Sequence, residues 1–148
     1  MHSRHGEVIF VFAHLQVSCD LWFLLSFGDG DCKTEKWSFY RHPWTTVTSA
    51  FWRKYPNPLY PHVQEVDTFH RELKDGNLTT QRIITATTSF PSFLRAVGAP
   101  TLAFGVEQST VNAQTQTLEL RSRNVTGSGF MVVEETCTYE VHPDNPEW

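Results

Sequence analysis

Apolar residues follow three different rhythms along this chain. From Val8 to Phe27 they form an almost unbroken run, interrupted by His14, Gln16 and Asp20. From Trp44 they recur at helical spacing, so that Trp44, Val47, Phe51 and Lys54 share one stripe, three apolar positions followed by a cation. From His62 onward they alternate. His62 to Leu73 and Leu78 to Thr87 flank Lys74-Asp75-Gly76-Asn77, and Asp-Gly is a hairpin signal. Leu102 to Val111 and Thr117 to Asn124 flank the polar turn Asn112 to Gln116, and Phe130 to Val141 follows Gly127-Ser128-Gly129. Leu118 and Leu120 fall on one face, with Glu119, Arg121 and Arg123 on the other. Met131, Val133, Cys137, Tyr139 and Val141 share a face that Glu135 interrupts. Five strands with short links predict an antiparallel sheet, apolar on one side and solvated on the other.

The helix opens at His42-Pro43-Trp44, because proline's missing N–H is not needed in a first turn. It stops at Tyr55-Pro56-Asn57-Pro58, which cannot continue as helix. Lys54 either turns toward the interior or complements the C-terminal end of the helix dipole. Phe90 to Gly98 reads as one or two helical turns on a long loop. The first apolar run reads as an atypical extension, residues 1–35, ahead of an α+β domain over residues 36–148. As a membrane span it is marginal, since a central Asp costs about 2.5–3.5 kcal/mol of insertion that several Leu or Phe roughly offset. As a signal peptide it is too long and lacks a clean small-residue cleavage site. An anchor is its functional alternative.

Composition narrows the chemistry. A chain of 148 residues, 40% hydrophobic and 19% charged, is one globular domain with its own core. A net charge of -4 excludes a general nucleic-acid binder, which needs a basic stripe, but leaves room for one anionic ligand held by a few cations. Three widely spaced cysteines (Cys19, Cys32 and Cys137) with no CxxC pair read as free thiols, not as disulfides or a zinc site. His62, His70 and His142 suggest a metal, but the first two lie eight residues apart, too far along a strand to share one ion, no Cys or carboxylate triad joins them, and no cofactor motif is present. Cys137 with His142 lacks the strained elbow of a nucleophile, and Gly127 and Gly129 lack the strand–loop–helix setting of a phosphate loop. Asn77-Leu78-Thr79 and Asn124-Val125-Thr126 fit the glycosylation triplet, which matters only in secreted chains. No convergent acid, base or nucleophile points to an enzyme.

Five ordered blocks carry a resemblance. HPWTTVTSAFWRKYPNPLYPHV, with its Pro-Trp helix start and Tyr-Pro-Asn-Pro signature, is followed by VDTFHRELKDGNLTTQRII, SFPSFLRAVGA, EQSTVNAQTQTLELRSRNV and FMVVEETCTYEVHPDNPEW. Together they resemble the PRELI/slowmo (Ups) family over roughly Lys36 to Trp148. The resemblance implies a helix-grip fold, a curved antiparallel sheet wrapped around a helix with a lipid cavity. It also implies a carrier of phosphatidic acid, or in some branches phosphatidylserine, in the mitochondrial intermembrane space. The carrier touches membranes peripherally and works with a small helical partner of the twin Cys-x9-Cys class. The need for a carrier is physical. Each exposed CH₂ costs about 0.8 kcal/mol, so two acyl chains crossing bare water cost on the order of 20 kcal/mol.

By position, the resemblance assigns lipid-phosphate contacts to Lys54, before the Tyr-Pro-Asn-Pro signature, to His62 after it, and to Arg82 on the second hairpin strand. His62 equally suits a turn, and Arg82 a solvated strand position. Phe90, Phe93 and Leu94 are expected to form a lid that touches the membrane, with a core-capping loop as the alternative. Where some members carry a lysine near the end of that strand, this chain has Ala86. The family also continues beyond the equivalent of Trp148 with a further strand and a long C-terminal helix, so the fold is expected to lack both. A truncated module that binds the small partner without carrying lipid is therefore the second functional expectation. An enzyme on the same architecture is the third.

Overall fold

The computed structural model of the chain describes residues 8–19, 30–88, 92–96, 98–129 and 131–141. The helix α1 spans Trp44–Trp52. Pro43 caps it, its carbonyl accepting the amides of Thr46 and Val47 at 2.8 and 3.2 Å. Thr48 Oγ1 donates back to the Trp44 carbonyl at 3.0 Å, which lets a β-branched polar residue lie buried in the helix. The helix is shorter than the expected Pro43 to Tyr55. Arg53 already leaves helical geometry as the C-cap, and beyond it Pro56 and Pro58 hold Tyr55 and Asn57 away from the α region. Lys54 thus follows the helix instead of completing its stripe.

All five expected strands form: β3 (Val63–Lys74), β4 (Asn77–Thr87), β5 (Leu102–Asn112), β6 (Thr117–Asn124) and β7 (Met131–Val141). Asp75 and Gly76, both at positive φ, make the β3–β4 turn, as the Asp-Gly signal requires. A short helix α2 (Ser92–Ala96) lies between β4 and β5. Two further strands come from the segment read as an extension, β1 (Val8–Cys19) and β2 (Gly30–Arg41). The described sheet therefore has seven strands in the order β2-β1-β7-β6-β5-β4-β3, and all neighbours are antiparallel. The boundary expected between residues 35 and 36 falls inside β2. Register gives the reason: Ile9, Val11, Ala13, Leu15 and Val17 stand opposite Val141, Tyr139, Cys137, Glu135 and Val133, so alternate positions of β1 continue one face of β7. Val8, Phe10 and Phe12 fall between these positions, so the first half of the segment reads as an apolar run without a period.

Across that inner face lies α1. Phe51 packs on Leu118, Leu120 and Cys137, with Trp52, Val111 and Tyr139 around them, while Trp44 packs with Val47, Val111, Tyr139 and Val141. The outer strands β2 and β3 carry many exposed charged residues, which discourages pairing with other chains. The two ends of the sheet differ. At one, Asp75-Gly76 and residues 113–116 make polar turns. The other gathers the loop before β3, α2 and the β6–β7 turn, and exposes Leu59 (83%), Phe93 (67%), Val125 and Met131. Among the described residues, no helix is long and apolar enough to cross a membrane.

Candidate functional site

The inner face is not uniformly apolar. Arg82 on β4 stands directly opposite Glu107 on β5. Its Nε donates to Glu107 Oε1 at 2.7 Å, and Nη2 contacts the same oxygen. With 6% and 4% of their surfaces exposed, these are buried charges, a situation tolerated when opposite charges are paired. The guanidinium also lies 4.9 Å from the Phe51 ring centroid and 5.1 Å from that of Trp52, a cation–π contact strengthened by desolvation. On the neighbouring rung, Thr80 and Ser109 are buried, and their hydroxyls have no hydrogen-bond partner among the described residues. Unsatisfied hydroxyls beside a buried ion pair cost stability, so this part of the sheet face is a polar patch within the core.

Two recesses border α1. A groove of about 960 Å³ is lined by Tyr40, His42, Val47, Phe51, Lys54 and Tyr139, which is near the upper end of ligand pockets, about 300–1,000 Å³. On the hairpin side, a recess of about 370 Å³ lies between Trp52 and Tyr55 on one wall and Val66, Thr68, Arg71 and Arg82 on the other. The structure therefore separates the three expected cations. Lys54 borders the large groove, with Nζ 5.1 Å from the Tyr55 ring centroid, while Arg82 lines the smaller recess as a buried residue, not a solvated one. His62 borders neither. It is exposed, its ring sits edge-on to Tyr60 at 6.0 Å, and its carbonyl accepts the Thr87 amide at 2.8 Å, the geometry of a strand-entry turn. Of the expected lid, Phe93 is exposed on α2, Phe90 lies outside the described residues, and nothing is described of the Leu94 side chain.

Burial pushes the Cys137 thiol up to about 12, Glu135 adds to the shift, and Lys54 opposes it, so this cysteine is a protonated core residue at neutral pH. His142, weighed beside it, lies outside the described residues. Burial likewise raises the Tyr139 hydroxyl. Among the described residues, no three of the His, Cys, Asp and Glu side chains gather as a metal site would require. Sequence reasoning missed Glu107, whose signal was its place opposite Arg82 once the two hairpins are laid side by side, and Arg71, whose side of the sheet depends on a bulge.

A curved antiparallel sheet gripping one helix, with a buried cation under the helix and a recess on either side, defines the helix-grip class of α+β proteins. The PRELI-like family model matches residues 45–148, so the chain belongs to the PRELI-like family. It is 37% identical over 115 residues to "PRELI domain-containing protein 1, mitochondrial" of Bos taurus, covering 75% of this chain and 52% of that protein. It is 38% identical over 109 residues to "Protein UPS2, mitochondrial" of Saccharomyces cerevisiae, covering 72% and 47%. Against "Protein slowmo homolog" of Dictyostelium discoideum it is 32% identical over 111 residues, covering 74% and 49%. The chain spans about half the length of the curated relatives it matches.

Proposed function

We propose that the chain binds an anionic phospholipid, phosphatidic acid or phosphatidylserine, under α1 and carries it between membranes of the mitochondrial intermembrane space without making or breaking a bond. Support comes from one observation above the rest. A buried arginine stands on the same sheet face as Leu118 and Leu120 and opens to a recess beside the helix, which pairs a phosphate contact with an apolar surface for chains. The mitochondrial setting draws on the names of the bovine and yeast relatives. Lys54 borders the larger groove and suits the role of a second, exposed cation at its mouth. Liposome-to-liposome transfer of fluorescent phosphatidic acid tests this. Wild-type chain is expected to transfer it, and Lys54→Glu to abolish transfer with an unchanged circular dichroism spectrum. Undiminished transfer by the variant would remove Lys54 from the site, and an inactive wild type would remove the carrier reading.

The apolar end of the sheet is the proposed membrane contact, where Phe93 on α2 is exposed, as are Leu59, Val125 and Met131. Phe93→Ser is expected to lower co-flotation with anionic liposomes severalfold and to leave the thermal midpoint nearly unchanged, since the side chain is already in water. A midpoint that falls while flotation holds would make this loop a cap on the core.

The groove bordered by Tyr40 and Val47 also favours a second reading, a module that binds the small helical partner of the twin Cys-x9-Cys class. Transfer by the purified chain alone separates the two.

A further inference from the structure

The recess on the hairpin side of α1 holds a cation that neither the sequence pattern nor the family resemblance assigns. In a regular strand, Thr68 and Arg71 would face opposite sides of the sheet. The register shift between Thr68 and His70 inserts one residue, so that Thr68 pairs with Arg82, His70 with Gln81 and Arg71 with Thr80. Arg71 is thereby turned onto the inner face, where its guanidinium carbon sits 5.4 Å from the Trp52 ring centroid. Trp52 thus has two guanidinium groups against its indole, from Arg71 and from Arg82.

The two arginines differ in charge balance. Glu107 absorbs the charge of Arg82 through Nε and Nη2. The remaining N–H groups of Arg82 make no hydrogen bond among the described residues, and the side chain lines the recess. Arg71 has no carboxylate within 4.0 Å among the described residues, so the net positive charge of the recess sits on it. Thr68 and Tyr55 place hydroxyl-bearing side chains on the same walls. A planar guanidinium fixed against an aromatic ring, with a second one offering donors but no net charge, suits a tetrahedral oxyanion.

We propose that Arg71 is the charge-bearing ligand of a phosphate subsite in this recess, with Arg82 as a hydrogen-bond donor that Glu107 and Trp52 hold in position. The proposal deepens the carrier reading and rests on it for the source of the phosphate, which by this chemistry is either a lipid headgroup or a free phosphate ion.

Titrations followed by phosphorus NMR, with dihexanoyl phosphatidic acid in one arm and inorganic phosphate in the other, test it on the full chain. Arg71→Gln is expected to weaken both by about tenfold or more, as loss of a charged hydrogen-bond donor does. Arg71→Lys, which keeps the charge and loses the planar fork, should fall between. Arg71 is exposed, so neither variant threatens the fold, and Arg121→Gln on the outer face should bind as wild type does. Equal affinities for wild type and Arg71→Gln in both arms would overturn the proposal, as would an equal loss in Arg121→Gln, which would reduce the effect to diffuse surface charge. The carrier reading fails separately. A chain that transfers lipid and ignores Arg71 keeps the carrier and loses the subsite. One that binds inorganic phosphate through Arg71 and takes up no lipid keeps the subsite and loses the carrier.

Discussion

Replacing Glu107 with alanine is expected to lower the unfolding free energy by about 3–5 kcal/mol, the usual cost of leaving one member of a buried ion pair alone. Arg82 sits at 6% exposure, walled by Phe51 and Trp52, and meets solvent only through the narrow recess that it lines. The cost should appear as a lower urea midpoint with an unchanged slope. A double variant, Arg82→Met with Glu107→Leu, should recover most of the loss, because replacing both charges with apolar side chains of similar volume removes the desolvation problem. Its lipid binding should fall nonetheless, since the donor in the recess is gone. A Glu107→Ala protein within about 1 kcal/mol of wild type would mean that water enters this pair freely and that Arg82 is not held there.

Phe51→Ala should be nearly as damaging, at about 3–5 kcal/mol. Nine residues are too few for α1 to persist on its own, so its existence depends on docking. Phe51 is the anchor. It meets Leu118, Leu120 and Cys137 at the centre of the sheet, contacts Trp52 edge-on at 5.1 Å and Tyr139 at 6.2 Å, and covers the Arg82 guanidinium. Removing the ring leaves a cavity and uncovers a buried charge together, and lipid transfer should be lost with the helix. Differential scanning calorimetry with near-ultraviolet circular dichroism checks both parts. A loss under about 1 kcal/mol would show α1 to be held by Trp44 alone.

The five strands from His62 onward were legible because each obeys strict alternation between turn signals, and the helix because its stripe and its prolines agree. β1 was not. Its odd-numbered positions, Ile9 to Cys19, are all apolar, but Val8, Phe10 and Phe12 occupy the even ones, so the first half shows no period and resembles a span or an anchor. The polar His14, Gln16 and Ser18 resume the alternation too late to outweigh it. β2 hides for the opposite reason: its first half, Gly30 to Lys36, is largely polar, as an exposed strand allows. At the site, position along the chain puts Arg82 on the second strand of the first hairpin, where it lies, but gives no sign that a carboxylate holds it, because Glu107 lies on a strand from another hairpin. Lys54 was assigned to a helical stripe that ends before it. Arg71 was invisible to alternation, since a one-residue bulge reverses every later side-chain direction in β3.

The position of β1 between β2 and β7 also orders events in time. β2 reaches the rest of the sheet through β1, and β1 pairs on its other side with β7, the last strand described. On the ribosome, β1 and β2 emerge before the other five described strands and wait, one edge of β1 unpaired, until β7 has followed. The entropy of closing that loop grows only slowly with its length, but contacts of such long sequence separation delay folding, and an unpaired apolar strand is exposed to aggregation meanwhile. The hairpin is thus exposed longest while the sheet is being made and, once seated, the clasp that joins the first described strands to the last.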